Sequence, residues 1–231
     1  MIIFHSTDLD KATGTLQGDE YRHCIKVLRH KVGDSIFLTD GKGTLASGVI
    51  EQINKRSVQV EIGSLELKDV IVPSIELAVC LPKSSARVEF MLEKLVELGV
   101  SIITPLVSQR SERRKINLDR LSKKIVSAST QSGHVHFPIM NELISFEEFI
   151  ESLDYTKGLY CHYKKDNPQL KDIDIKNKDI TIIVGPEGDF SEEELALMDN
   201  KSIKSVNLGN HRLRTETAAI AACTIWRIMN R

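Results

Sequence analysis

Closely spaced cysteines and long apolar runs are both missing from this sequence. Its four cysteines are scattered over 231 residues, and no two form a Cys-x-x-Cys pair. A disulfide framework or a zinc ribbon needs such spacing, so we expect neither. The one close histidine pair, His134 and His136, has no third ligand nearby in sequence, and we expect no metal site. No apolar run reaches about 18 residues, so we expect no membrane-spanning helix.

A secretory signal and a charge excess are missing as well. Residues 1–5 show no basic segment followed by an apolar one, so we expect a cytoplasmic protein. The 31 Lys and Arg residues balance 32 Asp and Glu residues, and the net charge of −1 does not indicate a nucleic-acid partner. With 41% hydrophobic residues, the chain is typical of a globular protein with one large or two modest domains.

Positive charge is nevertheless concentrated at two places. The two clusters are Arg22, Lys26, Arg29 and Lys31, and Arg110, Arg113, Arg114 and Lys115. Such a cluster can neutralise the phosphate backbone of RNA and release its counterions. Most charge clusters are instead solvated faces, and composition leaves both interpretations open.

The first 70 residues have the pattern of a small β-rich domain. Short alternating runs cover residues 35–39, 46–53 and 57–62, with glycine turns between them. The Asp-Gly-Lys-Gly sequence at residues 40–43 is a strong hairpin signal. Four or five short strands with little helix predict a small barrel.

One helical pattern interrupts this region, over residues 19–30. Tyr21, Cys24, Ile25 and Leu28 repeat at the spacing of one helix face, and basic residues of the first cluster occupy the other. The pattern predicts an amphipathic helix. Its basic face either contacts RNA or simply faces water.

From residue 75 onward, strand and helix patterns alternate, after a predicted linker at residues 68–74. The predicted strands cover residues 75–81, 101–107 (broken at Pro105), 158–162, 180–184 and 206–209. The predicted helices run from an N-cap at Ser85 to Gly99, and over residues 118–132, 146–153 and 215–229, with a further helix opening at Ser191. This alternation is typical of an α/β domain with a mainly parallel sheet. We expect two domains, 1–70 and 71–231.

The stretch with the strongest functional signal is residues 180–190. Ile180–Val184 is apolar and β-branched, typical of a strand buried on both faces. The Gly-Pro-Glu-Gly turn that follows lets a ligand approach the main chain, and Ser191 with Glu194 forms a capping box for a helix. Ligands of open α/β sheets bind at such strand ends, so this is a candidate ligand loop or a plain βα turn. It is neither a Walker loop nor a dinucleotide fingerprint.

A second glycine turn follows the strand pattern at residues 206–209 and leads through Leu-Arg-Thr-Glu-Thr-Ala into the last helix. Together, the GPEGDF and LG…LRTETA segments resemble the C-terminal signature of the SPOUT class of RNA methyltransferases. Within that class they resemble the bacterial ribosomal RNA small subunit methyltransferase E type. Further matches to this family lie at residues 23–34, 83–89, 93–100, 103–110 and 131–133.

The resemblance implies an α/β fold: a C-terminal SPOUT trefoil-knot domain with a parallel sheet, preceded by a PUA-like β-barrel that contacts RNA. It implies a homodimer that uses S-adenosylmethionine to methylate N3 of uridine 1498 in 16S rRNA during small-subunit maturation. The cofactor residues that it implies are His162, Val184, Gly185, Pro186, Glu187, Gly188, Leu208, Gly209, Leu213 and Thr215. The RNA contacts that it implies are Arg22, His23, Lys26, Arg29, Arg110, Arg113 and Arg114.

The chemistry of this reaction suggests roles for Arg214 and Glu216. N3 of uracil carries a proton, and base pairing hides it, so the target must be unpaired or flipped out. Arg214 is expected to stabilise negative charge on a uracil oxygen. Glu216 would orient Arg214 or accept the proton. A salt bridge between the two that only caps the last helix is the alternative.

Four residues depart from the family pattern: Asp189 at a common glycine, Arg212 at a usual aliphatic position, and His134 and His211 where arginine is common. These departures bear on RNA contacts more than on the cofactor site. Two other functions stay open. One is a non-catalytic RNA-binding protein that keeps the fold, and the other is a nucleotide-binding enzyme of another α/β type.

Overall fold

The computed structural model describes residues 2–230 and divides the chain into two compact units. The first unit comprises Met1–Val70 with Val126–Phe137, and the second comprises Ile71–Ile125 with Pro138–Arg231. The domain boundary predicted from the sequence, between residues 70 and 71, stays a prediction. None of the described helices is both long and apolar enough to cross a membrane.

The first unit is built around one curved sheet. Its elements are β1 (Ile3–His5), β2 (Thr13–Gln17), α1 (Gly18–Arg22), a π-helical turn (His23–Val27), β3 (Ser35–Thr39), β4 (Thr44–Ile53) and β5 (Ser57–Leu67). The described strands lie in the order β1-β3-β4-β5-β2, all antiparallel except β1 with β3. Ser6 Oγ donates to the Thr15 carbonyl at 2.9 Å and accepts from its N–H at 3.2 Å. These bonds join the two edge strands, as in the predicted barrel.

The predicted helix at residues 19–30 is shorter than expected. Helical backbone ends after the π-helical turn, because Arg29 adopts a left-handed conformation with φ of 60°. The predicted apolar face is confirmed: Cys24 is fully buried, and the other three residues of that face pack against the barrel core. The periodicity therefore located the buried face correctly but overestimated the helix length.

The segment Val126–Phe137 belongs to the first unit through main-chain hydrogen bonds to the β3–β4 turn. Gly43 N–H donates to the Val135 carbonyl at 2.9 Å, and Phe137 N–H donates to the Gly41 carbonyl at 2.8 Å. Gly41 has φ of 73°, and a Cβ there would lie 2.6 Å from the Phe137 ring. The turn therefore needs glycine both for its backbone angle and for this close approach.

The second unit is an α/β sheet. Its elements are β6 (Ile75–Cys80), α2 (Ser85–Glu97), β7 (Ile102–Val107), α3 (Leu118–Ser132), β8 (Ile139–Met140), β9 (Ile144–Ser145), α4 (Phe146–Ser152), β10 (Gly158–Cys161), a 3₁₀ turn (Leu170–Asp172), β11 (Ile180–Val184), α5 (Glu192–Asn200), β12 (Lys204–Val206) and α6 (Thr215–Met229). The C-terminal part of α3, from Val126 onward, belongs to the first unit. The order is β12-β10-β11-β6-β7-β8, with β9 also beside β7, and every described pair is parallel. The prediction of an α/β fold with a parallel sheet is confirmed.

Pro105 does not break its strand, contrary to the prediction. It pairs in register with Val79 of β6, in the middle of β7. Ile103, two residues earlier, turns its carbonyl toward the opposite edge, where it accepts from Asn141 N–H. Pro105 therefore also faces that edge, between the positions paired with β8 and β9, where none of the described strands requires its missing N–H.

Most local predictions around the site are confirmed. β11 is buried along its whole length, the capping box of Ser191 and Glu194 is formed, and α6 has the predicted bounds. Several boundaries are wrong, most by one residue. The N-cap of α2 is Ser84, because Ser85 is already helical. The strand predicted at residues 206–209 is β12 at Lys204–Val206, since Asn207 turns into the following loop.

The last helix returns from the sheet edge and packs on α2, β6 and β11. The sequence pattern groups Ala218, Ala221, Ala222, Ile225 and Met229 on one side of this helix. Ala218 and Ala222 are buried as that pattern predicts, whereas the other three are only half-buried, and the core also includes Ala219, Cys223 and Trp226. Trp226 is the largest side chain of the helix, so its burial decides which face turns inward.

Candidate functional site

Three adjacent parallel strands end at the same level and start the three loops of the candidate site. Cys161 of β10 is in register with Val184 of β11 and with Val206 of β12. A cavity opens where the following loops meet, and it holds about 660 Å³ of empty space when its open mouth is included. Its lining consists of Cys161, His162, Tyr163, Val184, Gly185, Pro186, Glu187, Asp189, Val206, Asn207, Leu208, His211, Arg212, Leu213, Thr215 and Ala218.

The cavity brings together most of the residues that the sequence nominated for a cofactor. Eight of the ten line it: His162, Val184, Gly185, Pro186, Glu187, Leu208, Leu213 and Thr215. Thr215 Oγ1 donates to the Gly185 carbonyl at 2.9 Å, which ties the start of α6 to the first glycine turn. The two stretches singled out in the sequence are therefore parts of one cavity wall.

Gly188 and Gly209 lie outside this lining. The Gly188 carbonyl accepts a hydrogen bond from Arg110 Nη1 at 3.1 Å, and a Cβ on Gly188 would lie 3.4 Å from Arg110 Cβ. Gly188 therefore faces the loop after β7. Gly209 has φ of 140°, so its conformation serves the chain reversal after β12.

Asn207 fixes the shape of the loop after β10, a role that sequence reasoning missed. Its side chain accepts from Lys164 N–H at 3.1 Å and donates to the carbonyls of Lys164 at 2.7 Å and Asn167 at 3.1 Å. Its backbone exchanges hydrogen bonds with Pro168 and Leu170, both at 2.8 Å. The available signal was a polar residue between two apolar ones where a buried strand ends.

The suggested pairing of Arg214 with Glu216 is wrong. Glu216 is only 7% exposed, and its Oε1 lies 3.6 Å from Nε of Arg87 on α2. Its other carboxylate oxygen is buried and has no hydrogen-bond partner within residues 2–230. Arg214 is the exposed N-cap of α6, and over the same residues its side chain makes no ion pair or hydrogen bond. Neither residue belongs to the cavity lining, although Thr215 between them does.

The three arginines nominated after β7 hold the surrounding loops. Arg110 donates to the carbonyls of Gly188 and Phe190, Arg113 to those of Pro82 and Lys83, and Arg114 to that of Gln109. A guanidinium group has five N–H donors, so these bonds leave donors for a phosphate. Their structural role is therefore visible in the fold, whereas RNA contact stays a prediction.

The basic cluster of the first unit is more open. Arg22 pairs with Asp19 at 2.8 Å, and the exposed His23 ring lies 5.7 Å from that of Phe4. Lys26 and Arg29 are exposed, and neither side chain has an ion-pair partner among the described residues. These two cations are consequently the ones most available to a phosphate backbone.

The thiol at the cavity wall is not set up as a nucleophile. Desolvation raises the pKa of Cys161 to about 12, so the thiol stays protonated near neutral pH. Within the described part of the chain, no three His, Cys, Asp or Glu side chains group as metal ligands.

Comparison with known protein families defines the class of this protein. A family model described as an RNA methyltransferase domain matches residues 71–227, and one described as an RNA methyltransferase PUA domain matches residues 16–63. The two models cover the α/β unit and most of the barrel. The class is therefore that of RNA methyltransferases with a PUA domain.

Individual relatives narrow the class to one family. The ribosomal RNA small subunit methyltransferase E of Rickettsia conorii is 33% identical over 93% of this chain and 89% of its own length. The enzyme of that name from Neisseria gonorrhoeae, solved with S-adenosyl methionine, is 30% identical, with a TM-score of 0.89 over 100% of this chain and 98% of its own. A methyltransferase from Legionella pneumophila, solved with bound SAM, is 28% identical with a TM-score of 0.89, covering 99% and 98%. The chain belongs to the ribosomal RNA small subunit methyltransferase E family.

Proposed function

We propose that this protein transfers a methyl group from S-adenosylmethionine to N3 of uridine 1498 in 16S rRNA during maturation of the small ribosomal subunit. The observation that supports this most strongly is the cavity at the ends of β10, β11 and β12. It joins the two stretches that resemble the family signature, and the chain belongs to that family. Substrate and cofactor follow from the family, and we assign the cofactor to this cavity.

The residues of the cavity fit the proposed cofactor. Leu208 and Leu213 offer apolar surface for the faces of adenine. The carboxylate of Glu187 suits a ligand that carries a positive sulfonium and an ammonium group. The eight nominated residues that line the cavity are the ones that we assign to cofactor binding.

The protein has two main tasks in this reaction: to orient the uracil against the methyl group of the cofactor, and to stabilise the negative charge that the uracil develops. The cofactor supplies a methyl group already activated on sulfur, whereas N3 of uracil has to lose its proton. Arg214, exposed and unpaired beside Thr215, is the group that we assign to negative charge on a uracil oxygen. Because Glu216 contacts Arg87 and not Arg214, we assign it the other role that the sequence left open, that of proton acceptor.

Two exposed cations of the first basic cluster, Lys26 and Arg29, lead to a prediction about RNA binding. Replacing Lys26 and Arg29 with glutamine is expected to weaken binding of 16S rRNA and to flatten its dependence on salt. Each lost phosphate contact lowers the slope of log K against log salt by about 0.7–0.9, so the pair should lower it by roughly 1–2. Binding measured at several salt concentrations checks this.

Lys55 and Arg56 provide the matched control for that experiment. Both are exposed cations of the same unit, in the turn between β4 and β5. Replacing them with glutamine should leave the salt slope unchanged. If both pairs of substitutions had the same effect, Lys26 and Arg29 would contribute only general charge.

Two further properties belong to the proposal. We assign the protein to the cytoplasm, where small subunits are assembled, and we expect a homodimer. Phe90 on α2 and Ile228 on α6 are large apolar side chains left exposed, as expected where a partner packs. Light scattering should give twice the 26.0 kDa of one chain, and a mass of one chain at micromolar concentration would contradict the dimer.

The proposed function is tested by methyl transfer. The pure protein is incubated with S-adenosylmethionine labelled in its methyl group and with small subunits that lack the modification. Label in 16S rRNA is expected. Cofactor binding without transfer to any ribosomal RNA would favour a non-catalytic RNA-binding protein, and absence of cofactor binding would refute the proposal.

A further inference from the structure

One carboxylate is the meeting point of the three cavity loops. Oδ1 of Asp189, in the loop after β11, lies 3.3 Å from Nδ1 of His162, the first residue after β10. Oδ2 lies 3.6 Å from Nη2 of Arg212, in the loop after β12. Oδ1 also accepts a hydrogen bond from the N–H of Phe190 at 2.9 Å, which fixes the orientation of the carboxylate.

These three side chains also form part of the cavity wall. His162, Asp189 and Arg212 all line it, and their side chains are 14%, 29% and 76% exposed. An ion pair with so exposed an arginine adds little to the stability of the folded chain. The ion pair does, however, link two of the three loops that line the cavity, and the contact with His162 links the third.

The backbone at Asp189 favours a different residue from the one that is present. Asp189 has φ of 62°, a left-handed conformation that glycine adopts freely and that most other residues adopt only with strain. Its N–H donates to the Pro186 carbonyl at 3.0 Å and thereby holds the tight turn. Glycine would fit this backbone conformation with less strain than aspartate does. What aspartate provides and glycine cannot is the set of contacts that its carboxylate makes.

We propose that Asp189 is a positioning residue that, through His162 and Arg212, holds the three loops closed over bound S-adenosylmethionine and slows its release. We name these three residues the loop clasp. The inference rests on the proposed function, because it takes the cavity as the cofactor site. It assigns to the clasp the lifetime of the bound cofactor and not the stability of the fold.

The rate of cofactor release tests the loop clasp directly. Labelled S-adenosylmethionine is bound to the full chain and chased with unlabelled cofactor, without RNA, so that catalysis plays no part. Asp189→Asn tolerates the left-handed backbone and keeps an oxygen for the Phe190 N–H, but loses the charge. Release is expected to be about 3- to 5-fold faster, the range of a single partly exposed ion pair.

The variant Asp189→Gly distinguishes a role of Asp189 in the loop clasp from a role in the stability of the fold. Release should again be faster, whereas the melting temperature of the cofactor-free protein should stay the same or rise, because glycine relieves the backbone. If Asp189 only stabilised the fold, the cofactor-free Asp189→Gly variant would melt at a lower temperature than the unaltered chain and would also release the cofactor faster. That outcome would overturn the clasp.

Variants of Arg212 complete the test. Arg212→Gln should accelerate release, and Arg212→Lys should stay close to the unaltered chain because the charge is kept. Asp189→Asn combined with Arg212→Gln should release no faster than either single variant, since both remove the same contact. If the unaltered chain binds the cofactor and Asp189→Asn releases it at the same rate, the clasp alone is wrong. If the unaltered chain binds no cofactor, the proposed function fails, and the clasp with it.

Discussion

Replacing Arg214 with alanine is expected to slow methyl transfer by about 100- to 1,000-fold, the usual cost of removing one donor to a developing negative charge. Uracil that has lost its N3 proton carries that charge on its two oxygens. Arg214 is the N-cap of α6, directly before the cavity residue Thr215, and no other side chain among residues 2–230 engages its guanidinium group. Nothing in the fold has to be broken for it to reach a substrate.

The measurement for Arg214 is a single-turnover reaction at saturating cofactor, which separates methyl transfer from product release. Affinity for S-adenosylmethionine should stay within about two-fold, because Arg214 lies outside the cavity lining. Arg214→Lys is the matched control. It keeps the charge but loses the planar fork, so its rate should fall between those of the other two proteins. A rate for Arg214→Ala close to that of the unaltered chain would remove Arg214 from the catalytic group.

Replacing Asn207 with alanine is expected to lower the free energy of unfolding by about 2–4 kcal/mol. Asn207 is 3% exposed, and its amide makes three hydrogen bonds that tie the loop after β10 to the end of β12. Each is worth about 1 kcal/mol net, and the backbone groups of Lys164 and Asn167 would lose their partners. Because Leu208 and His162 flank this network, affinity for the cofactor should fall as well.

Denaturant unfolding measures the first effect and equilibrium binding of S-adenosylmethionine the second. Asn210→Ala is the matched control, since Asn210 lies in the same loop but is exposed and its side chain makes no hydrogen bond within residues 2–230. That variant should unfold like the unaltered chain. Equal stability of the Asn207 and Asn210 variants would show that the buried amide network does not hold the cavity wall.

Local sequence patterns were sufficient where neighbouring residues decide the structure. The β-branched run of β11, the capping box at Ser191 and the helix at Thr215–Met229 all follow from residues within a few positions of one another. The same holds for the glycine turn at Gly185. Resemblance to a family supplied both the reaction and the ten cofactor residues, eight of which line the cavity.

Contacts between distant segments were not predictable in this way. Glu216 pairs with Arg87, which lies on a different helix, and sequence proximity had suggested Arg214 instead. Pro105 fits within β7 because the side of the strand where its N–H is missing lies between the positions that pair with β8 and those that pair with β9. The helix predicted at residues 19–30 is shorter in the structure. Periodicity indicates which side chains are buried, but it does not predict the left-handed backbone of Arg29, which ends the helix.

The central claim is that N3 of a uridine in 16S rRNA receives the methyl group. The most direct test is to label unmodified small subunits with the protein and labelled S-adenosylmethionine, digest the 16S rRNA to nucleosides and identify the one that carries the label. The account predicts label in 3-methyluridine, and none when position 1498 is changed from uridine to cytidine. Label in any other nucleoside, or label that persists in the altered RNA, would contradict it.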